Sequence, residues 1–244
     1  MDIYETYIGA AVALAFFSLM GYIFYWLIVI VPRRIQKFFS DLYKEGYRTV
    51  ESDEACLQDT ISQVAAVYPV RPRKDQEIPA WDLNNAIQRI DHQATQVIAH
   101  VNRLQKDQPG HRGTSRVTIL FIEKGTLDIQ SDIHVTPKNN PGNNLWEQRY
   151  NASVITEGYE QQFLECYIVY SPDSAPSPLP KELCHALIEI CPSVCRKELF
   201  CFQGGVNFRF GSEGWGISPA NIIYKKRDFT MMLDIFDKIS RSLH

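Results

Sequence analysis

Residues 7–31 read YIGAAVALAFFSLMGYIFYWLIVIV, and no charged residue stands between Glu5 and Arg33. At a rise of about 1.5 Å per residue this run extends roughly 37 Å as a helix, more than the ~30 Å of a hydrocarbon core. A single span inside lipid satisfies its own backbone only as a helix. Tyr4 and Tyr7 lie at one end, and Tyr22, Tyr25 and Trp26 towards the other, where amphipathic rings favour the interface. Pro32 closes the run.

Two other readings fit less well. A cleaved leader has a basic start, an apolar core of about 7–15 residues and a small-x-small cleavage site. Here the start carries Asp2 and Glu5, the run is too long, and VIVPRR offers no such site. A buried core helix is usually broken by polar residues within 10–14 positions. The sequence therefore predicts an N-terminal tail and transmembrane helix over 1–32.

No Lys or Arg precedes the span, whereas Arg33, Arg34, Lys37, Lys44 and Arg48 follow it. The positive-inside rule then places the N-terminus outside and the C-terminal bulk in the cytoplasm. The same cluster suits anionic headgroups, so membrane lipid is an expected partner. Gly9 with Ala13, and Ala11 with Ala15, give a small-xxx-small face on which two such helices can approach.

The remaining 212 residues are enough for one large or two small domains. A chain of net charge −3 lacks the basic excess of a nucleic-acid binder, and none is expected as a partner. Cys56, Cys166, Cys184, Cys191, Cys195 and Cys201 are expected as reduced thiols on the cytoplasmic side. Asn151-Ala-Ser153 fits a glycosylation acceptor, relevant only if the orientation is reversed.

Past the span, Ile35, Phe38, Phe39, Leu42 and Tyr43 fall at helical spacing before Gly46, a natural C′ residue. This amphipathic helix suits either the membrane surface or its own domain. A helix over about 52–68 follows, with Leu57, Ile61, Val64 and Tyr68 as its stripe. Leu83, Ile87, Ile90, Ala94, Val97, Val101 and Leu104 alternate four and three apart, which predicts a third helix over about 79–106. The juxtamembrane and helical segment is thus 33–107.

QPGHRG at 108–113 reads as a boundary, and beyond it the period becomes two. Arg116–Ile122 is a β-rich run, and Lys124-Gly125 turns the chain. Leu127, Ile129, Ser131, Ile133 and Val135 then alternate with Asp128, Gln130, Asp132 and His134, as in a strand with one wet face. Trp146–Thr156 with Gln162–Tyr170 reads as a second hairpin. A helix starts at Pro180 and is disrupted at Pro192. Glu198–Gln203 and Val206–Gly211 read as a hairpin through Gly204-Gly205, and a helix from about Asp228 closes the chain. The expected fold is α+β: one transmembrane helix, a helical segment, then a mainly antiparallel sheet with two late helices, the α+β domain being 108–244.

Three stretches carry chemistry worth weighing. Cys184, His185, Cys191, Cys195 and Cys201 offer zinc-ligand types, but not the paired Cys-x-x-Cys spacing of zinc modules. Asp128, Asp132 and His134 on a wet strand face are parts of acid–base catalysis, and also what a solvated face carries. GGVNFRFGSEGWG at 204–216 lacks the P-loop Lys-Ser/Thr and a following helix. No cofactor fingerprint appears. These readings favour an interaction, scaffold or regulatory module with a protein partner or self-association. The alternative is a membrane-tethered enzyme, hydrolase-like or metal-dependent, acting through Asp128, Asp132 and His134.

Overall fold

In the computed structural model of the protein, residues 3–49, 81–91, 94–103, 116–125, 127–138, 152–173, 176–194, 206–212, 214–219 and 226–243 are described. The expected helix over 52–68, the boundary at 108–113, the strand over 198–203 with Gly204-Gly205, and the acceptor Asn151 lie outside them.

From Ile3 to Lys44 the chain is one unbroken helix in three parts: α1 (Ile3–Tyr25), a π-helical turn (Trp26–Ile30) and α2 (Val31–Lys44). Val31 N–H donates to the Trp26 carbonyl, five residues back. Pro32 explains this widening, since its ring crowds the carbonyl four residues back and it has no N–H to give. Among the described residues one helix is long and apolar enough to cross a membrane. Its apolar side chains are exposed all round, from Tyr7 at 72% to Ile28 at 68%.

Beyond Ile30 the helix changes character. Val31, Ile35, Phe38, Phe39 and Leu42 are buried in the main core. The apolar face of α2 is therefore spent on the protein's own domain. Tyr47 N–H donates to the Leu42 carbonyl and Gly46 N–H to the Tyr43 carbonyl, closing α2 in a Schellman motif. Gly46 takes the φ of +93° this cap requires, and Tyr47 and Leu42 are both buried beside it.

Among the described residues nine strands form one open sheet: β1 (Arg48–Thr49), β2 (Trp81–Asp91), β3 (Ala94–Arg103), β4 (Arg116–Lys124), β5 (Ile133–Pro137), β6 (Ser153–Ile155), β7 (Tyr167–Ser171), β8 (Val206–Gly211) and β9 (Gly214–Pro219). Their order is β1-β2-β3-β4-β9-β8-β5-β7-β6, and each neighbouring pair is antiparallel. Directly opposed residues share a face. One row runs Thr49, Ile87, Ile98, Phe121, Ile217, Phe208, Val135, Val169, Ile155. This is the face that packs on α2, α3 (Gln161–Cys166), α4 (Lys181–Val194) and α5 (Lys226–Leu243). Burying this aliphatic and aromatic row drives the assembly at roughly 25 cal/mol per Å² of apolar surface.

The α+β architecture stands, with several corrections inside it. The expected helix over 79–106 is instead the β2–β3 hairpin. β4 and β5 do not pair with each other: β4 lies between β3 and β9, and β5 between β8 and β7. The strand expected from Leu127 begins only at Ile133, and all five residues of β5 are buried, so its wet face does not exist. β6 and β7 do pair, but α3 is inserted before β7. The helix from Lys181 runs through Pro192 to Val194, because a proline in the last turn gives up only one hydrogen bond. β8 turns at Ser212 to pair with β9.

Candidate functional site

The sheet's second face carries the row Arg48, Gln88, Val97, Ile122, Gly216, Arg209, His134, Tyr170, Val154. Its centre is polar. His134 on β5 lies directly opposite Arg209 on β8 and Tyr170 on β7. Arg209 Nη2 donates to Asp132 Oδ2 at 2.7 Å, just before β5 begins. Ser171 Oγ donates to the Asp132 carbonyl at 2.7 Å, which fixes the backbone that presents this carboxylate. Gly211 leaves room for it, since a Cβ there would stand 3.0 Å from Asp132 Oδ1.

His134 is only 8% exposed. Burial, then the Arg209 charge, push its pKa down to about 4, with Asp132 pulling the other way. At neutral pH it is an uncharged imidazole beside an ion pair. The structure thus brings Asp132 and His134 onto one face and adds Arg209. Asp128 is exposed, four residues before Asp132 and outside any strand. Arg209 was readable only as the polar half of the alternation in Val206–Phe210; nothing in the sequence says that β8 pairs with β5.

A second polar row was missed altogether. On the helix-covered face Arg89, Gln96, Glu123, Trp215, Phe210 and Ile133 stand opposite one another across six strands. Glu123 is 1% exposed and accepts from Gln96 Nε2 at 3.0 Å, from Trp215 Nε1 at 2.9 Å and from the Ser240 hydroxyl of α5. Arg89 donates to Gln96 Oε1 at 2.7 Å, sits 4.8 Å over the Tyr47 ring and faces Asp237 at 3.6 Å. Burial raises the Asp237 carboxyl, with Arg89 opposing. A buried carboxylate with three donors is a satisfied structural group. It joins β3, β4, β9 and α5.

Of the thiol and imidazole residues weighed for zinc, Cys184, His185 and Cys191 lie on α4, and Cys195 and Cys201 fall outside the described residues. Cys184 Sγ donates to the Leu179 carbonyl at 3.8 Å. Its pKa is pushed up to about 12 by burial, then by Glu160 and Glu182. His185 is exposed and 3.9 Å from Glu160. Cys191 contacts Cys166 instead, whose pKa burial and that contact raise to about 12. Among the described residues no three His, Cys, Asp or Glu side chains gather as a metal set.

Comparison with protein-family models, with curated proteins and with solved structures gives no match.

Proposed function

We propose that the chain is a single-pass membrane protein that holds its α+β domain at the cytoplasmic face, where the domain works as an interaction or regulatory module. The observation that carries this reading is a change of surroundings along one helix. Tyr7 to Tyr25 present apolar side chains outwards on every side, whereas Val31, Ile35, Phe38, Phe39 and Leu42 of the same helix are core. A soluble core helix hides its apolar stripe; one that is apolar all round suits lipid. Trp26 also packs against the core, so removing the apolar run as a leader would cut into the folded domain.

Orientation rests on Arg33, Arg34, Lys37, Lys44 and Arg48 after the span and no Lys or Arg before it. The module reading draws support from the polar groups. Asp132 is tied to Arg209, His134 is buried and neutral, and the Cys166 and Cys184 thiols are held protonated. Each is better suited to holding the domain together than to acid–base or nucleophilic work at neutral pH.

Alkaline carbonate extraction followed by protease protection of a C-terminal tag tests the proposal. Release of the chain by carbonate would overturn the anchor. A tag digested from outside intact cells would reverse the orientation. Replacing Asp128 and Asp132 by Asn, which keeps a hydrogen-bond acceptor for Arg209, is expected to leave cellular behaviour unchanged, and loss of that behaviour from a folded variant would favour the enzyme.

A further inference from the structure

Resting on the membrane reading above, we propose that the exposed side of the first half of α2 forms a docking surface for the anionic phospholipid headgroups of the bilayer that α1 enters. Leu27 and Ile28 are exposed, yet Trp26, at the same depth, packs against the core. One side of the helix thus faces lipid where the other already meets the domain. This places the rim of the domain at the bilayer interface.

Arg33 and Lys37 stand five and nine residues beyond Ile28. At about 1.5 Å per residue they lie roughly 8 and 14 Å further along the axis. A headgroup layer adds about 5–8 Å to each side of the hydrocarbon, and the Debye length adds a further ~8 Å. Arg33 and Arg34 therefore sit among headgroups and Lys37 within reach of their potential. Because Val31, Ile35, Phe38 and Phe39 are spent on the core, the outward side of this stretch is Arg33, Arg34, Gln36, Lys37 and Ser40.

The start of α5 adds nothing at this depth, because Lys226 pairs with Asp41, roughly 20 Å along the axis from Ile28. The first acidic residue of α2 is Asp41, bonded to Lys44 at 3.3 Å and facing Lys226 at 3.8 Å. The surface nearest the bilayer keeps a positive excess, and anionic lipid is the complementary partner that α1 holds in place.

The full chain is reconstituted in phosphatidylcholine vesicles with and without a minority of phosphatidylserine, and the lipid retained after mild detergent extraction is counted by mass spectrometry. Phosphatidylserine is expected at roughly fivefold or more over its bulk share, since each basic side chain at the surface is worth about that factor. The enrichment falls with salt, and returns to the bulk share in the Arg33→Gln, Arg34→Gln, Lys37→Gln triple variant, whose exposed changes leave the fold intact. Retention at the bulk share in the unaltered chain overturns the proposal, as does enrichment that survives in the triple variant. Failure to enter pure phosphatidylcholine vesicles overturns both this surface and the membrane reading, because that entry depends on α1 alone.

Discussion

Phe38 of α2 lies stacked on Phe229 of α5, with ring centroids 5.0 Å apart and planes within 10°. Phe229 in turn meets Phe121 of β4 at 5.8 Å. The helix that leaves the apolar span is therefore clamped between the C-terminal helix and the sheet. Truncating Phe38 to Ala removes that ring contact and leaves a cavity at the joint, at a cost of about 3 kcal/mol. Lys37→Ala, one residue away but exposed, is expected to stay within about 0.5 kcal/mol. Thermal unfolding of the two variants in detergent separates them; equal midpoints would mean that α2 is not docked as described.

Glu123 is the second joint. It collects hydrogen bonds from Gln96, Trp215 and Ser240, so Glu123→Ala takes this acceptor from three buried donors, of which Gln96 Nε2 keeps Ser240 Oγ at 3.3 Å. The expected cost is about 3–5 kcal/mol. Ser240→Ala removes a single donor and is expected to cost about 1 kcal/mol. Combining the two should cost less than their sum, with a coupling of about 1 kcal/mol, because in Glu123→Ala alone the serine has already lost its acceptor. Strict additivity in chemical denaturation would show that the hydroxyl does not bond this carboxylate.

How far the sequence could be read follows from burial on each face. The apolar run from Tyr7 to Tyr25 and the late helix carrying Phe229, Met232, Phe236 and Ile239 each have one kind of surroundings, and both were legible as helices. β3 has no such simplicity. Gln96, Val97, Ile98 and Ala99 are all buried, so both faces of the strand are covered and no period of two survives. Spacing of three and four then mimics a helix, and β-branched Thr95, Val97, Ile98 and Val101 were the better signal. Asp132 and His134 share a face as their i, i+2 spacing required, but burial of both faces of β5 and its pairing with β8 are long-range facts. Glu123 was invisible for the same reason: an acidic residue at a strand end reads as solvated until its three donors are known.

Gly214 separates sterics from conformation. Its φ is +146°, and a Cβ there would stand 2.2 Å from the Glu123 carbonyl oxygen, at the point where β9 meets β4. Gly214→Ala must push two hydrogen-bonded strands apart, and is expected to cost more than about 3 kcal/mol. Gly46 also has positive φ, at +93°, but open space around it. Gly46→Ala is therefore expected to cost only about 1 kcal/mol, the conformational part alone. Comparing melting of the two variants checks the assignment. If Gly46→Ala proved the more damaging, the close approach of β9 to β4 would be wrong.

Acid sensitivity should be traceable to His134. In the unfolded chain this imidazole takes up a proton near 6.5, but in the folded domain only near 4, because burial and Arg209 oppose the charge. Between those values the unfolded state binds more protons, so stability falls as pH drops from about 6.5 towards 4 and levels off below. The full difference corresponds to about 3 kcal/mol. His100 on β3, 6.2 Å from the Phe39 ring and lowered to about 4 by burial, acts in the same direction. Its partial exposure reduces its share to about 1–2 kcal/mol. His134→Asn should flatten the larger part of the slope, and the further change His100→Asn most of the remainder. Unfolding measured across this range in the unaltered chain and both variants tests the assignment, and a slope unchanged by His134→Asn would place the acid sensitivity elsewhere.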